Sequence, residues 1–491
     1  MTIAIEKTIH PTSHRATNRF SELDRLVQSP ILRLSEIMSA FSVALDVTQG
    51  HPEGHCMRSC IIGMRIAEVI KLSPTDCSSL FYALLLKDLG CSSNAAKIAH
   101  LFGGDDHQIK HSLRLVDWTR PTECLGHCWS HCVPGGSTIE KLLKMAAIVR
   151  SGAEGGRRIS EIRCERGAEI ARMLQLSEAT AQAILDLDEH WNGGGNPWKR
   201  KGEEISLLGR ICGLAQCVEV YVTAFGLSSA MEMARKRSGK WFDPNLVKAL
   251  LSIESDGAFW SQLDSPNLIS EISRWEPEDV IILADDSRMD RVAEAFARVV
   301  DAKSPWTFLH STRVAEIAVG IASEFGCSSG FEQDIRRAGL LHDIGKLGVS
   351  NSILDKNGKP TEEEFDQIKQ HAKYSYRILN QVPAFAQLAD VAGGHHERLD
   401  GRGYHLGLKG AEVSLPTRIL TVADVCEAMT AKRPYREALE WENVRTMLER
   451  DSGTAFDPDC VAALQRWYEK HELASRTELQ MEAVERLVAE L

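Results

Sequence analysis

The segment Leu341-His342-Asp343-Ile344-Gly345 closely resembles an earlier one, Leu86-Lys87-Asp88-Leu89-Gly90. The two segments lie 255 residues apart, and the same offset relates His55 to His310. Matching spacing over such a distance indicates duplication of a whole domain rather than a short structural repeat. The second segment keeps a histidine where the first has a lysine, so the two copies differ in chemistry.

Farther along the chain the offset between the copies changes. It becomes 208 residues, which relates Gln216 to Asp424, and a last correspondence pairs Phe242-Asp243-Pro244 with Phe456-Asp457-Pro458. The difference of 47 residues between the two offsets predicts an insertion in the first copy at about residues 101–150.

Apolar residues recur at helical spacing in both copies, and strand-like alternation is scarce. After His310, for example, Val314, Ile317 and Ile321 share one helical face. We therefore predict an all-α protein with two tandem helical bundles. The predicted boundaries are a polar N-terminal tail at 1–28, a first copy at 29–263, a connector at 264–289, a second copy at 290–470 and a C-terminal helix at 471–491.

Composition narrows the class of protein. The chain has 491 residues, 43% of them hydrophobic, but it has no uninterrupted apolar run of membrane length and no signal peptide. Its 13 cysteines are predicted to be reduced thiols. A net charge of −11 argues against nucleic-acid binding. These features predict a cytoplasmic protein with no membrane or nucleic-acid partner.

The second copy contains a set of candidate metal ligands. These are His310, His342, Asp343, His371, His395, His396 and Asp424. Imidazole and carboxylate suit iron, manganese or zinc, and a carboxylate can bridge two ions. Two ions could clamp a phosphate, so this set indicates phosphoester hydrolysis. The alternative for each histidine alone is a hydrogen-bonded structural residue.

An ordered motif series resembles the HD-GYP family. It comprises His310, His342-Asp343-Ile344-Gly345-Lys346, His371, His395-His396-Glu397 with Asp400-Gly401-Arg402-Gly403-Tyr404, and Ala423-Asp424. The resemblance implies two tandem HD-domain-like bundles, the first degenerate and the second a metal-dependent phosphohydrolase. Its implied substrate is a cyclic dinucleotide, chiefly cyclic di-GMP.

The resemblance also assigns roles to residues. It implies that His310, His342, Asp343 and Asp424 hold one divalent ion, and that Asp343 bridges to a second ion held by His371, His395 and His396. Iron or manganese is expected. Asp343 and Lys346 would be catalytic, with Lys346 stabilising negative charge on the scissile phosphate during attack by a metal-bridging hydroxide.

Five residues are predicted to contact substrate: Lys346, Arg402, Tyr404, Arg433 and Arg436. Tyr404 could stack on a guanine, whereas each arginine could equally be a solvated surface residue.

Two departures from the family pattern affect the predicted reaction. His405 replaces the proline that usually follows the glycine-tyrosine pair, which removes a rigid backbone angle. Trp306 occupies the position at which family members with three metals carry a glutamate. We therefore expect two ions and, from the family, hydrolysis of cyclic di-GMP to the linear product pGpG.

Alternative functions involve another substrate or no catalysis. The first is a phosphodiesterase for cyclic GMP-AMP or another nucleotide phosphoester. The second is a non-catalytic signalling scaffold that binds diguanylate-cyclase (GGDEF) domains. The intact ligand set favours an enzyme, for which a GGDEF partner and a homodimer are further expectations.

The first copy has lost most of the predicted ligands. Lys87, Arg163, Leu187 and Gln216 replace them, so a regulatory, dimerising or ligand-sensing role is expected. The insertion adds a group of possible zinc, haem or redox residues. They are Cys124, His127, Cys128, His131 and Cys132. Inward packing of the cysteines is the favoured interpretation of this group.

Overall fold

Helices form nearly all of the regular structure. A computed structural model describes residues 32–116, 120–432 and 436–471. The all-α prediction is confirmed, while the predicted tail and most of the predicted C-terminal helix fall outside the described residues. A two-stranded antiparallel sheet pairs Leu32 with Ala284 and Arg33 with Leu283.

The first copy contains the elements β1 to α11. They are β1 Leu32–Arg33, α1 Leu34–Thr48, α2 His55–Val69, α3 Pro74–Leu86, α4 Ala95–Phe102, α5 Asp106–Leu113, α6 Pro121–His131, α7 Thr138–Met173, α8 Glu178–Asp186, α9 Leu207–Phe225, α10 Leu227–Arg237 and α11 Pro244–Ser252. Gly152 breaks the helical geometry of α7, with φ of 56°. This break lies next to the predicted end of the insertion.

The second copy follows a structured connector. The short helix α12 Gly257–Trp260 ends the first copy, and the connector contains α13 Leu268–Ser273 and β2 Leu283–Ala284. The second copy then comprises α14 Asp286–Asp301, α15 His310–Glu324, α16 Ser329–Leu341, α17 Asn351–Leu354, α18 Glu362–Leu379, α19 Ala386–Gly394, α20 Leu415–Thr430, α21 Trp441–Arg450 and α22 Pro458–His471.

The sequence correspondence between the copies recurs in their backbone contacts. The bridge between Asn192 and Lys201 matches that between Asp400 and Lys409, at the offset of 208 residues. A second bridge, from Ser238 to Phe242, matches the one from Ser452 to Phe456. Equivalent segments therefore adopt the same local structure in both copies.

One hydrophobic core extends through both copies. Phe41 on α1 and Phe296 on α14, which are 255 residues apart, contact each other edge to face with ring centroids 4.4 Å apart. Equivalent residues therefore meet at the interface, as in a symmetric dimer interface. The helix α1 also packs against the turn Ile344–Gly348 of the second copy.

The helix α9 is long and apolar enough to cross a membrane, although no uninterrupted apolar run was found in the sequence. More than half of its apolar window is buried inside the protein, and the helix packs against α2, α8 and α10. A buried core helix of a globular domain meets the same criterion. Its apolar character is therefore accounted for by its packing in the first copy.

Candidate metal centre

Five segments bring the seven predicted metal ligands together. His310 begins α15, His342 and Asp343 follow the end of α16, His371 lies within α18, His395 and His396 follow α19, and Asp424 lies within α20. All are buried except His396, which is partly exposed. A helical bundle commonly builds cofactor sites in this way, from side chains on facing helices.

Asp343 lies between two groups of histidines. Its Oδ2 atom is 3.1 Å from His310 Nε2 and 3.2 Å from His342 Nε2. Its Oδ1 atom is 3.3 Å from His371 Nε2 and 3.8 Å from His395 Nε2. One carboxylate thus presents one oxygen to each group, which is the geometry that a bridging ligand needs.

Asp424 closes the other side of the cluster. Its Oδ1 atom is 3.4 Å from His310 Nε2 and 3.8 Å from His342 Nε2, and its Oδ2 atom is 3.8 Å from His396 Nδ1. Asp424 therefore lies within reach of the same histidine nitrogens as Asp343 Oδ2.

Backbone carbonyls orient three of the imidazoles. Nδ1 of each ring lies within hydrogen-bond distance of the carbonyl three residues earlier: His342 with Gly339 at 2.7 Å, His371 with Ile368 at 2.5 Å and His395 with Ala392 at 2.5 Å. With Nδ1 as donor, the lone pair lies on Nε2, the atom that faces Asp343. Such outer hydrogen bonds fix the tautomer of a metal-ligating histidine.

Glu427 orients the fourth imidazole and was not among the site residues predicted from the sequence. Its carboxylate pairs with Nδ1 of His310, and Glu219 makes the same pair with His55 in the first copy. The offset of 208 residues between the two glutamates was a signal that could have identified Glu427. It also lies three residues after Asp424, which places both side chains on one side of α20.

Most imidazoles in the cluster are held neutral. Burial, together with neighbouring positive charges, lowers the pKa of His371 to about 3 and that of His396 to about 4. Burial also disfavours the charged form of His310, but Glu427 and Asp343 outweigh it and raise that pKa to about 9. Neutral imidazole is the form that binds metal.

The donor set fits divalent metal ions. Three groups of donor atoms lie within 4.8 Å of one another: His371 with His395 and His396, His310 with His342 and Asp343, and His342 with His395 and Asp424. Two buried atoms at the centre, His342 Nε2 and Asp343 Oδ1, have no hydrogen-bond partner within the described part of the chain. An unsatisfied buried polar atom is costly, and a bound cation would satisfy both.

Lys346 lies beside this donor set. It belongs to the 3-10 turn Ile344–Gly348, and its ammonium pairs with Asp343 Oδ2 while the side chain stays one-fifth exposed. Trp306 lies on another turn, Pro305–Thr307, before His310. Its indole offers no carboxylate oxygen to a further ion.

The loop after His396 brings Tyr404 to the centre. The Tyr404 ring centroid lies 4.3 Å from that of His396. Buried Glu397 anchors this loop by accepting hydrogen bonds from the backbone nitrogens of His405 and Leu406, at 3.2 and 2.9 Å. His405 itself is exposed. The anchored loop places an aromatic ring at the edge of the ligand cluster.

The three predicted arginine contacts differ in setting. Arg402 is exposed on the same loop as Tyr404. Arg436 donates hydrogen bonds to the carbonyls of Ala428 and Met429, at 2.6 and 2.9 Å, and thereby caps the end of α20. Arg433 lies outside the described residues. The helix cap gives Arg436 a structural role.

In the first copy, ion pairs occupy the corresponding region. Lys87 pairs with Asp88, and Arg163 pairs with Asp188, inside the domain. Arg114, at the end of α5 in the insertion, lies 3.6 Å from both carboxylates. Side-chain cations therefore neutralise the carboxylates of the first copy.

The cysteine and histidine residues of the insertion do not form a ligand cluster. Among the described residues, the candidate metal groups all lie in the second copy. His127 Nε2 is hydrogen-bonded with Ser112 Oγ at 2.8 Å, while Cys128 and Cys132 are buried. These contacts match the interpretation of inward-packed cysteines.

Comparison with known proteins agrees with this geometry. The HD domain family matches residues 153–246 and 294–460, more than half of the chain. The chain belongs to the HD domain family and is a metal-dependent phosphohydrolase of the HD-GYP type.

Particular relatives extend the likeness over most of the chain. A 3′3′-cGAMP-specific phosphodiesterase 3 of Vibrio cholerae is 42% identical over 88% of this chain and 94% of that protein. A crystal structure of a V. cholerae cyclic GMP-AMP specific phosphodiesterase, V-cGAP3, is 38% identical, has a TM-score of 0.63 and covers 90% of this chain and 98% of that one. The cyclic di-GMP phosphodiesterase response regulator RpfG of Xanthomonas campestris is 36% identical over 37% of this chain and 48% of that protein.

Proposed function

We propose that the chain hydrolyses 3′3′-cyclic GMP-AMP at the centre around Asp343. The observation that carries the reaction class is the convergence of five histidines and two aspartates with unsatisfied donor atoms. The substrate choice is supported by the 42% identity over nearly the whole length of a 3′3′-cGAMP-specific relative. RpfG, which acts on cyclic di-GMP, matches only about a third of the chain. The alternative from the sequence analysis is therefore better supported than its first choice, cyclic di-GMP.

The proposed centre holds two divalent ions, iron or manganese. Bound there, such ions supply Lewis acidity to a phosphodiester. Asp343 would be shared by the two ions, with His310, His342 and Asp424 holding one and His371, His395 and His396 holding the other. Five imidazoles and two carboxylates make this donor set suitable for these metals.

Lys346 stabilises the negative charge that develops on the reacting phosphate. Its ammonium already lies against Asp343 and remains partly open to solvent, so it can contact both the centre and a bound anion. A fixed cation beside the reacting phosphate lowers the barrier by electrostatic stabilisation. Tyr404, at the edge of the cluster, stacks on a purine, and Arg402 contacts a phosphate. The linear dinucleotide is the proposed product because Trp306 offers no ligand to a third ion.

The test is hydrolysis of a substrate panel by protein purified without oxygen and loaded with iron or manganese. The panel contains 3′3′-cGAMP, cyclic di-GMP and cyclic di-AMP, with products resolved by chromatography. We expect 3′3′-cGAMP to be cleaved at least tenfold faster than the others. Cyclic di-GMP as the best substrate would reject the assignment of substrate, and inactivity of the wild type towards all three would reject the enzyme.

Asp343→Ala provides the test of the site. We expect it to abolish hydrolysis and to remove at least half of the bound metal, because it deletes the shared ligand. Asp76→Ala, which changes a partly exposed carboxylate at the start of α3 in the first copy, is the control. Full activity of Asp343→Ala would refute the proposed centre.

A further inference from the structure

The first copy contains a cleft remote from the predicted metal ligands. It has a volume of about 680 Å³ and lies between α9, α10 and the part of the insertion around the start of α6. Its lining includes the cationic side chains Arg120, Lys236, Arg237 and Lys240 and the aromatic side chains Tyr221 and Trp241. This volume falls within the usual range of small-molecule sites, which is roughly 300 to 1,000 Å³.

Positive charge predominates in the cleft. Of the four cationic side chains in its lining, Arg120 pairs with Glu123 at 2.9 Å and Lys236 pairs with Glu232 at 2.5 Å. Lys240 is exposed to the cleft opening, and Arg237 is more than nine-tenths buried in the wall. Among the lining residues that the structure describes, four are cationic and two are anionic, which favours an anionic ligand.

Arg237 is the unusual member of this lining. Its guanidinium lies 3.8 Å from the ring centroid of Trp241 and 5.4 Å from that of Tyr221. Nη2 donates to the hydroxyl of Tyr221 at 3.3 Å, while buried Nη1 has no hydrogen-bond partner within the described ranges. A buried guanidinium nitrogen without a partner is costly, and an anion in the cleft could satisfy it after a small side-chain movement.

The second copy lacks the same combination of residues. Phe242 of the first copy matches Phe456 of the second, which gives an offset of 214 residues. At this offset, the positions of Arg237, Lys240 and Trp241 are occupied in the second copy by Asp451, Thr454 and Ala455. Both copies form the same backbone bridge at this point. The cations and the aromatic ring are therefore not requirements of the fold, and they separate the two copies as clearly as the metal ligands do.

We propose that this cleft binds a 5′-phosphorylated nucleotide as a ligand rather than as a substrate. The phosphate pairs with Arg237 and Lys240, as guanidinium and ammonium groups suit phosphate oxygens. Tyr221 and Trp241 are partly exposed in the lining and provide apolar surface for the base, although Arg237 lies over both rings and Trp241 also stacks on His190 at 4.2 Å. The first copy thus binds nucleotide without the metal chemistry of the second copy.

The experiment is isothermal titration calorimetry of the full chain with 5′-AMP, 5′-GMP, ribose 5-phosphate and inorganic phosphate. Asp343→Ala protein, treated with chelator, is used so that the second copy contributes no metal-dependent binding. We expect saturable binding of at least one nucleotide, at least tenfold tighter than that of ribose 5-phosphate. Equal affinity for ribose 5-phosphate would overturn the assignment of a base site, and no nucleotide binding would overturn the proposal.

Substitutions in the cleft locate the binding. Lys240→Glu, at an exposed position, and Arg237→Gln are each expected to weaken nucleotide affinity at least tenfold. Arg235→Gln is the matched control, because Arg235 pairs with Glu254 and is half exposed. Unchanged affinity in Lys240→Glu protein would reject this site. Because binding is measured without hydrolysis, failure here leaves the proposed phosphodiesterase activity to its own assay.

Discussion

Single side chains outside the predicted ligand set control the geometry of the centre. Glu427 holds Nδ1 of His310 and thereby directs Nε2 towards Asp343 and Asp424. Outer-shell partners of metal ligands typically contribute about 10- to 100-fold to metal affinity or activity. Glu427 therefore acts as a positioning residue.

Replacement of Glu427 tests this role. Glu427→Gln keeps the size of the side chain but removes the charge that favours a donating Nδ1. We expect at least a tenfold loss of metal affinity, measured by competition with a chromogenic chelator, and a similar fall in hydrolysis. Glu219→Gln makes the same change beside His55 in the first copy and should leave metal affinity unaltered. Equal losses in the two variants would show a general structural effect.

The residues that cluster around Asp343 could be proposed as ligands from the sequence because their chemical types are distinctive. His395 and His396 are adjacent, and no requirement of helix packing explains two neighbouring imidazoles beside a glycine-rich turn. Arg436 as a phosphate contact stays a prediction, because an arginine that caps a helix and one that binds phosphate look alike in the sequence. Only the positions of the Ala428 and Met429 carbonyls distinguish these roles.

Among the structural elements, the turn Ile344–Gly348 links the centre to the rest of the bundle. Gly345 lies so close to α18 that an added Cβ would be 2.0 Å from the His371 carbonyl oxygen. Gly90 in the first copy is in the same position, 1.9 Å from the Arg163 carbonyl oxygen. Close packing at this point is therefore required by the fold, whereas the attached side chains determine the chemistry.

Adding a methyl group at each glycine distinguishes the packing that the fold requires from the placement of the metal-binding side chains. Gly345→Ala and Gly90→Ala should both lower the free energy of unfolding, by about 1–3 kcal/mol or more, because each forces backbone apart in a packed core. Only Gly345→Ala should also displace His371 and reduce metal content. Denaturant unfolding and metal analysis measure the two effects, and undiminished metal in Gly345→Ala protein would contradict the expected displacement.

The sequence predicted helices better than it predicted the contacts between the copies. Helical periodicity is local, so the apolar face of α15 could be recognised from Val314 and Ile317. The edge-to-face contact of Phe41 with Phe296 joins residues 255 positions apart. Such a contact depends on the packing of the two bundles, which periodicity does not specify.

Across the whole molecule, a buried polar network joins the insertion to the second copy. Asp106 accepts a hydrogen bond from the backbone nitrogen of Asn351 at 2.8 Å and one from Ser350 Oγ at 3.1 Å, and it lies 3.8 Å from Lys303 Nζ. Lys110 donates to the same carboxylate at 3.2 Å. Asp106 and Lys303 are almost fully buried. The network lies directly after the turn that carries Lys346.

Asp106→Ala should therefore affect both stability and catalysis. Removing one partner of a buried ion pair costs about 3–5 kcal/mol, since the remaining charge is left buried. We expect the free energy of unfolding to fall by that order, and kcat to fall because α17 and the adjoining turn lose their anchor. Asp105→Ala, which removes the N-cap of α5 and leaves the hydrogen bonds of Asp106 in place, should cost about 1 kcal/mol. A kcat equal to that of the wild type would show that the network is not coupled to the centre.

The continuous core predicts that both copies unfold together. Separate domains usually have separate cores, but here α1 packs against the turn of the second copy and Phe41 contacts Phe296. We therefore expect one calorimetric transition for the whole chain, and bound metal should raise its midpoint although the proposed ligands lie in one copy. At a free metal concentration of 100 times the dissociation constant, each ion would add about 2.7 kcal/mol. Two transitions, with only the second moved by metal, would show that the copies are energetically independent.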